Sequence, residues 1–361
     1  MKHSLLLLTV FALTVFVSET PAQITDFEVI KVYDSASHSA FTDLVRFGDA
    51  FYITFRASTA GHVPGKKTGE GDGTIPVLTS KDGKSWQKVA ELTKTAFDLR
   101  DPKLSITPDG RIMVLMGGSV YVDGKLLDRQ PQVSFSDKDG RNFSEPQPLI
   151  IAPAIKNELG WLWRTAWHNG IGYGAGYGVA AAQTGGKQTE PDEPAWIFSL
   201  TKTIDGVHYG LLKRFELPNK PNEAAVRFLK NGDMRIFLRC ESGNGLLGSA
   251  AAPYTDWKWD DLGIRIGGPE LIVLPNDKLL FGHRLYETSG ASTVLSVQGK
   301  DGKLRVIAKF PSKGDTSYPG FVIYENKLYA SYYSSHEGKT SIYLAIVPLD
   351  KIVAETEKPL M

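Results

Sequence analysis

The sequence predicts an all-β fold, a six-bladed β-propeller, and two observations carry this prediction. Helical periodicity is nearly absent, whereas short apolar stretches rich in β-branched and aromatic residues alternate with Gly, Asn and Asp turns. One hairpin pattern, an apolar stretch, a two-residue turn and a second apolar stretch, then recurs six times. Six hairpins at this spacing suit one four-stranded blade per repeat.

The hairpin turns set the order of the blades along the chain. Asn-Gly and Asp-Gly turns between apolar stretches are a strong hairpin signal, because these residues accept the positive φ of a tight turn. Successive turns are separated by 61, 60, 62, 45 and 49 residues. The turns begin at Gly48, Asp109, Asn169, Asn231, Asn276 and Glu325.

The two ends of the chain are predicted to close the ring. After the last turn only two strong strands remain, 327–334 and 341–347, so the last blade has three strands of its own. The apolar stretch from Phe27 to Tyr33 can supply the fourth strand. A propeller becomes larger by adding blades around its axis and needs no second core, so we interpret residues 23–361 as one domain.

The first 22 residues have the layout of a secretory signal peptide. A short basic start precedes an apolar run from Leu5 to Val17, and small residues end the segment at Ala22. The apolar run is too short to span a bilayer, and no later stretch reaches the roughly 20 apolar residues that a membrane helix needs. The mature chain is therefore expected to be secreted or periplasmic, without a membrane anchor of its own.

Charge and composition narrow the classes of partner. The chain has 41 Lys and Arg against 40 Asp and Glu, which offers no electrostatic footprint for nucleic acid or an anionic membrane. Cys240 is the only cysteine, so an intrachain disulfide is excluded. The sequence predicts no cofactor and no metal site, since His336 has no second histidine at ligand spacing. Nothing in the sequence sets an oligomeric state.

A second, weaker repeat lies on the outer strands, at 80–86, 137–143 and 203–209. Each copy places a short polar side chain, an Asp-Gly turn and an aromatic residue at the same offsets. The Asp can accept turn amide hydrogens while the aromatic ring plugs the blade. The three copies resemble the Asp boxes of the sialidase superfamily, and they indicate fold rather than chemistry.

The residues just ahead of each hairpin turn are expected to face one funnel, because the innermost strands of a propeller begin near its central channel. Carboxylates, arginines and aromatic residues converging there form a site constellation, although any single one of them can instead pair across blades. The candidates are Asp43, Arg100, Asp101, Trp163, Arg164, Glu223 and Tyr318, joined by Arg56, Arg239 and Arg284 at the ends of second strands.

Part of this constellation resembles the active site of the sialidase superfamily. The segment from Asn222 to Arg239 resembles the part of sialidases that carries the glutamate partner of the nucleophile and one carboxylate-binding arginine. Arg284 and then Tyr318 resemble the last arginine and the nucleophilic tyrosine, in the same order along the chain. The resemblance implies an exo-glycosidase on a terminal acidic sugar. Tyr318 would be its nucleophile and Glu223 the base that takes the phenol proton.

Two departures from the sialidase pattern leave the substrate and the general acid open. Thr42 stands where sialidases have their first arginine, so Arg56, Arg100 or Arg164 would have to help bind a carboxylate. His62 lies on the loop that carries the sialidase acid, and imidazole side chains commonly transfer protons near neutral pH. Asp43 and Asp101 are rival candidates for the acid.

Three further functions stay open from the sequence. The glycan partner can carry a different acidic sugar or a neutral one. A lyase would use Tyr318 or His62 to abstract a proton beside a uronic carboxylate. A propeller that binds carbohydrate without cutting it is the non-catalytic alternative, which the retention of both Glu223 and Tyr318 disfavours.

Overall fold

The computed structural model describes residues 23–63, 71–179 and 196–358. The predicted signal segment, residues 1–22, lies outside this range. Within the described parts, six small sheets are arranged as a six-bladed β-propeller, as the hairpin repeat predicts. No helix in these parts is long and apolar enough to cross a membrane.

The strands follow one another around the ring in chain order, and one short helix ends the described chain. The elements are β1 Glu28–Tyr33, β2 His38–Phe47, β3 Ala50–Ser58, β4 Ile75–Ser80, β5 Gln87–Leu92, β6 Asp98–Ile106, β7 Ile112–Val122, β8 Lys125–Arg129, β9 Gln132–Phe135, β10 Gln147–Pro148, β11 Ile150–Ile151, β12 Trp161–His168, β13 Ile171–Val179, β14 Trp196–Thr203, β15 His208–Phe215, β16 Pro221–Phe228, β17 Met234–Cys240, β18 Leu246–Ala250, β19 Lys258–Asp261, β20 Ile266–Val273, β21 Leu279–Glu287, β22 Gly290–Gln298, β23 Leu304–Lys309, β24 Thr316–Tyr324, β25 Lys327–Ser334, β26 Ser341–Pro348 and α1 Leu349–Glu357.

Each blade is one sheet. Blade 1 is β2 to β5, blade 4 is β16 to β19, and blade 5 is β20 to β23. Blade 2 runs β6, β7, β9 and β10, with β8 added as a hairpin on β7. Blade 3 runs β12 to β15 and gains β11, which pairs in parallel with β15.

Blade 6 confirms the predicted closure of the ring. Strand β1 pairs antiparallel with β26, placing Ile30 opposite Leu344, and β24 to β26 supply the other three strands. The apolar core lies between neighbouring blades, where the faces of adjacent sheets meet. The rings of Phe237 in blade 4 and Phe281 in blade 5, for example, are 5.0 Å apart. Pairing the two chain ends completes this packing around the whole ring.

Two of the three polar turns on the outer strands have the hydrogen bonds that their sequence predicts. Asp82 Oδ1 accepts hydrogen bonds from the amides of Lys84 and Ser85, both at 2.8 Å. Asp205 accepts the equivalent pair in blade 3. In blade 2 the acceptor is Asp137 rather than the Asp of the Asp-Gly turn. The turns therefore stabilise the blades locally.

All six innermost strands carry a β-bulge at the same height. Pairing with the second strand shifts register between residues 40 and 43, and at the corresponding point of every other blade. The backbone has positive φ there at Phe41, Asp101, Gly268 and Tyr318. A bulge breaks the alternation of a strand and re-aims its side chains. The six bulges together therefore determine which side chains reach the funnel.

Candidate active site

A cavity of about 310 Å³ lies among the bulges and the loops above them. This volume is at the small end of the range for ligand pockets and suits a single sugar unit better than a long chain. Four arginines and two carboxylates line it, and Arg239 is paired with two further carboxylates, Glu223 and Glu241. The lining residues are Phe41, His62, Arg100, Asp101, Ser119, Tyr121, Arg129, Trp161, Arg239, Arg284, Asp315, Tyr318 and Tyr333.

Tyr318 and Glu223 are brought together from blades 6 and 4. The Tyr318 hydroxyl donates a hydrogen bond of 2.6 Å to Glu223 Oε1, and Arg239 Nη1 donates to the same oxygen at 2.8 Å. Burial raises the pKa of Tyr318 well above its usual value, and the nearby Glu223 charge raises it further. The phenol therefore keeps its proton at rest, and Glu223 Oε1 accepts its hydrogen bond.

A glycine in blade 5 holds the second oxygen of this carboxylate. The backbone N–H of Gly268 donates to Glu223 Oε2 at 3.0 Å, with φ at +54°. A Cβ at this position would lie 2.6 Å from Ser317 Oγ and 2.9 Å from the Tyr318 ring. Glycine is required here because both the backbone conformation and the close approach exclude a side chain.

Arg239 and Arg284 both reach the cavity, as predicted from the sequence, and both are fixed by protein partners. Besides Glu223, Arg239 pairs with Glu241 at 2.5 Å. Arg284 donates from Nε to the carbonyl oxygen of Thr316 at 2.6 Å, and from Nη2 to the Tyr333 hydroxyl at 2.9 Å. These contacts orient the two guanidinium groups before any ligand arrives, which lowers the entropic cost of binding an anion.

Asp101 and His62, two of the three candidates for the acid, line the same cavity. Burial raises the pKa of Asp101 to about 6, against the lowering influence of Arg100 and Lys103. Within the described residues no hydrogen bond reaches the Asp101 carboxyl, and its closest cation is Arg100 Nε at 3.9 Å. His62 is bonded instead, with Nε2 lying 2.5 Å from Asp315 Oδ2. Arg100 joins the wall by donating to the carbonyl oxygen of His62 at 2.8 Å.

Asp43 and Arg164, also predicted as site residues, lie away from the cavity as part of a buried ion network. Arg164 Nη1 contacts both Asp43 oxygens at 2.9 Å, and Arg164 also pairs with Glu270. Asp43, Lys103 and Glu270 are each the first residue after the bulge in their blade, so they form a layer next to the bulges. The expectation that Asp43 and Arg164 face the cavity is therefore corrected.

Arg56 and Trp163 are likewise buried and do not line the cavity. Arg56 is fully enclosed and donates from Nε and Nη2 to Asp98 Oδ1 at 2.9 and 2.7 Å. The Trp163 ring packs 5.4 Å from the Tyr318 ring. Sequence alone does not separate such residues from cavity residues, because a bulge sends adjacent side chains in different directions.

The cavity also contains residues that the sequence analysis missed. Arg129 and Tyr121 come from the hairpin of β7 and β8, and Arg129 is exposed at the rim. Its guanidinium carbon lies 6.0 Å from the ring centroid of Trp161. A Cβ on Gly117 would lie 1.8 Å from that ring. The adjacent glycines at 117 and 118, unusual inside a strand, were the available signal of such a close approach.

Comparisons with known proteins extend to the fold alone. No protein-family model and no curated protein matches the chain in sequence. The chain resembles the crystal structure of a Dyadobacter fermentans protein of unknown function, with a TM-score of 0.72 and 17% identity over 89% of this chain and 98% of the other. Trypanosoma rangeli sialidase gives a TM-score of 0.62 at 11% identity over 93% of this chain. An α-L-arabinofuranosidase from Fusarium graminearum gives 0.63 at 12% identity, covering 90% of this chain and 98% of the other.

The chain spans 60% of the length of the trypanosomal sialidase. At these identities the comparisons establish a shared propeller fold, whose neighbours include two kinds of glycoside hydrolase.

Proposed function

We propose that the protein is an exported glycosidase that removes a terminal, acidic sugar from a glycan. The observation that carries this proposal is the hydrogen bond of 2.6 Å between Tyr318 and Glu223 at the wall of a cavity lined by arginines. A phenol becomes an effective nucleophile only when a base accepts its proton during attack. The pair supplies both groups at hydrogen-bond distance.

The proposed reaction uses three side chains. Tyr318 Oη attacks the anomeric carbon while its proton passes to Glu223. Asp101 protonates the leaving oxygen, so the glycosidic bond breaks and a tyrosyl-linked sugar forms. Asp101, now ionised, then takes a proton from water as the water displaces the sugar, and Tyr318 regains its proton from Glu223. The pKa of about 6 lets Asp101 act first as acid and then as base near neutral pH.

The charge of the cavity favours an acidic sugar. Of its four arginines, Arg129 forms no ion pair with the described residues, and a neutral nucleophile avoids the repulsion that a carboxylate nucleophile would feel. Thr42 is buried and donates to the carbonyl oxygen of Tyr318 at 2.7 Å, so this position of blade 1 contributes no arginine to the cavity. Arg129 at the rim offers a replacement cation. Solved neighbours of this fold include a sialidase bound to sialic acid, which supports a sugar ligand.

The export part of the proposal depends on the first 22 residues. Mass spectrometry of protein from the secreted or periplasmic fraction is expected to find an N-terminus at or near Gln23. An intact Met1 on exported protein would contradict it.

A panel of substrates tests the catalytic part. Purified protein is assayed with aryl glycosides of a sialic acid, a uronic acid and a neutral arabinofuranose. We expect release from an acidic member, and a 2,3-difluoro analogue of that sugar is expected to label Tyr318, identified by peptide mass spectrometry. Unsaturated uronate absorbance would instead indicate a lyase, and saturable binding without turnover a carbohydrate-binding propeller. Preference for the neutral glycoside would refute the assignment of an acidic sugar.

A further inference from the structure

We infer that His38, His62 and Asp315 form a binding site for one divalent transition-metal ion at the wall of the cavity. Each residue offers one ligand atom, and these atoms lie within 4.8 Å of one another. Two imidazoles and one carboxylate are a ligand set typical of zinc and of other borderline divalent ions, with open positions left for water or substrate. Sequence spacing conceals the site, because Asp315 is separated from His38 by 277 positions.

The geometry is close to what such an ion needs. Ligands at about 2.0 to 2.1 Å from a tetrahedral ion are separated from one another by roughly 3.3 Å. His38 Nε2 lies 3.2 Å from Asp315 Oδ2, which meets this spacing. His62 Nε2 lies 2.5 Å from the same oxygen and would have to move outward by roughly 0.8 Å. The His62 side chain is 45% exposed on a loop, so this movement is sterically available.

The surroundings of Asp315 have the character of a metal's outer shell. The Tyr333 hydroxyl donates to Asp315 Oδ1 at 2.9 Å, and Arg284 Nη2 lies 3.5 Å from the same oxygen. These two groups orient the carboxylate and leave Oδ2 to the two histidines. Metal-binding carboxylates are commonly held by such hydrogen bonds on the oxygen that faces away from the ion.

The position of the site would let a bound ion contact a molecule in the cavity. His62 and Asp315 both line the cavity that contains Tyr318 and Arg284. An ion with an open position there would offer oxygen atoms of a bound molecule a second cationic contact beside the arginines. This role rests on the proposed function, whereas metal binding itself is measured without any sugar.

The test is metal binding by the full mature chain after treatment with a chelator. Calorimetric titration with zinc chloride is expected to show one saturable site, and cobalt(II) is expected to give the visible absorption of an ion with nitrogen and oxygen ligands. His38→Ala and His62→Ala are each expected to weaken zinc binding by at least roughly 10-fold. His208→Ala is the matched control, since His208 forms a similar pair with Asp205 at 2.7 Å but is joined by no second histidine among the described residues.

Two outcomes would overturn the proposal. One is the absence of saturable binding of zinc, cobalt or manganese by the parent protein. The other is zinc binding that is equally strong in the parent, His62→Ala and His208→Ala proteins. Thermal melting of each variant without metal confirms that it is folded, and His62, on its exposed loop, is the substitution least able to disturb the fold. Neither outcome bears on whether Tyr318 acts in catalysis.

Discussion

Replacing Asp43 by Asn tests whether this residue belongs to the scaffold rather than to the chemistry. Asp43 is completely buried, and its two oxygens accept hydrogen bonds from Arg164 and from the amides of Leu44 and Leu104. The substitution keeps the shape but removes the charge that neutralises Arg164. Breaking a buried pair from one side costs about 3–5 kcal/mol of unfolding free energy.

The lower end of that range is expected, because Arg164 retains its second partner, Glu270. A loss of about 3 kcal/mol corresponds to a fall in Tm of roughly 4 °C for a chain of this length, since the unfolding entropy is then about 0.7 kcal/mol per kelvin. Urea unfolding followed by tryptophan fluorescence measures the loss of unfolding free energy, and calorimetry measures the fall in Tm. The matched control is Asp109→Asn, which alters an exposed pair with Arg111 and is expected to cost less than about 1 kcal/mol.

If Asp43→Asn unfolds within about 1 kcal/mol of the parent but lowers kcat/KM by more than about 10-fold, Asp43 acts in the reaction. The network of Asp43, Arg164 and Glu270 would then be a functional element, and the sequence-based assignment of Asp43 as a candidate acid would stand.

Three further predictions concern the cavity itself. Tyr318→Phe and Glu223→Gln are each expected to lower kcat by at least about 100-fold with little change in KM, because both act on the chemical step. Unchanged steady-state turnover in either variant would exclude the substituted residue from the chemical step. Arg129→Ala is expected to raise KM by roughly 5- to 10-fold without changing the melting temperature, since an exposed rim arginine contributes to anion binding but not to packing. An unchanged KM would show that Arg129 does not bind the substrate. The acid form of Asp101 is lost as pH rises through about 6, so kcat/KM is expected to fall above that pH. Asp101→Asn is expected to remove this fall in the pH profile. If the fall persists in the variant, another residue is the acid.

The sequence was sufficient for the fold because a propeller repeats its local signals. Each inner hairpin carries its own turn residues, and the stretch from Phe27 to Tyr33 had no partner except the three-stranded last blade. The structure bears this out, with β1 beginning one residue later, at Glu28. Local turn chemistry and strand pattern determine the number and order of blades without knowledge of long-range contacts.

The composition of the cavity was only partly accessible from the sequence. Tyr318, Glu223, Arg239 and Arg284 were found through their order along the chain, and the structure brings all four together. The direction of a side chain at a bulge depends on a single register shift, which no period-2 pattern reports. For this reason Arg164, within the bulge of blade 3, was expected in the cavity but lies in the buried network.

The residues at and next to the six bulges have different roles in alternate blades. Blades 2, 4 and 6 present Asp101, Glu223 and Tyr318, the three groups that the proposed reaction uses. Blades 1, 3 and 5 contribute Asp43, Arg164 and Glu270, which form a buried ion network that Arg227 of blade 4 joins through Glu270. Every blade that carries a reacting group is thus flanked by two blades joined through this network. Because a reacting group works only when it is held to within a fraction of an ångström, we expect the network to set the spacing between Tyr318 and Glu223. The Asp43→Asn variant would then lose some turnover as well as stability, and both losses would share one cause.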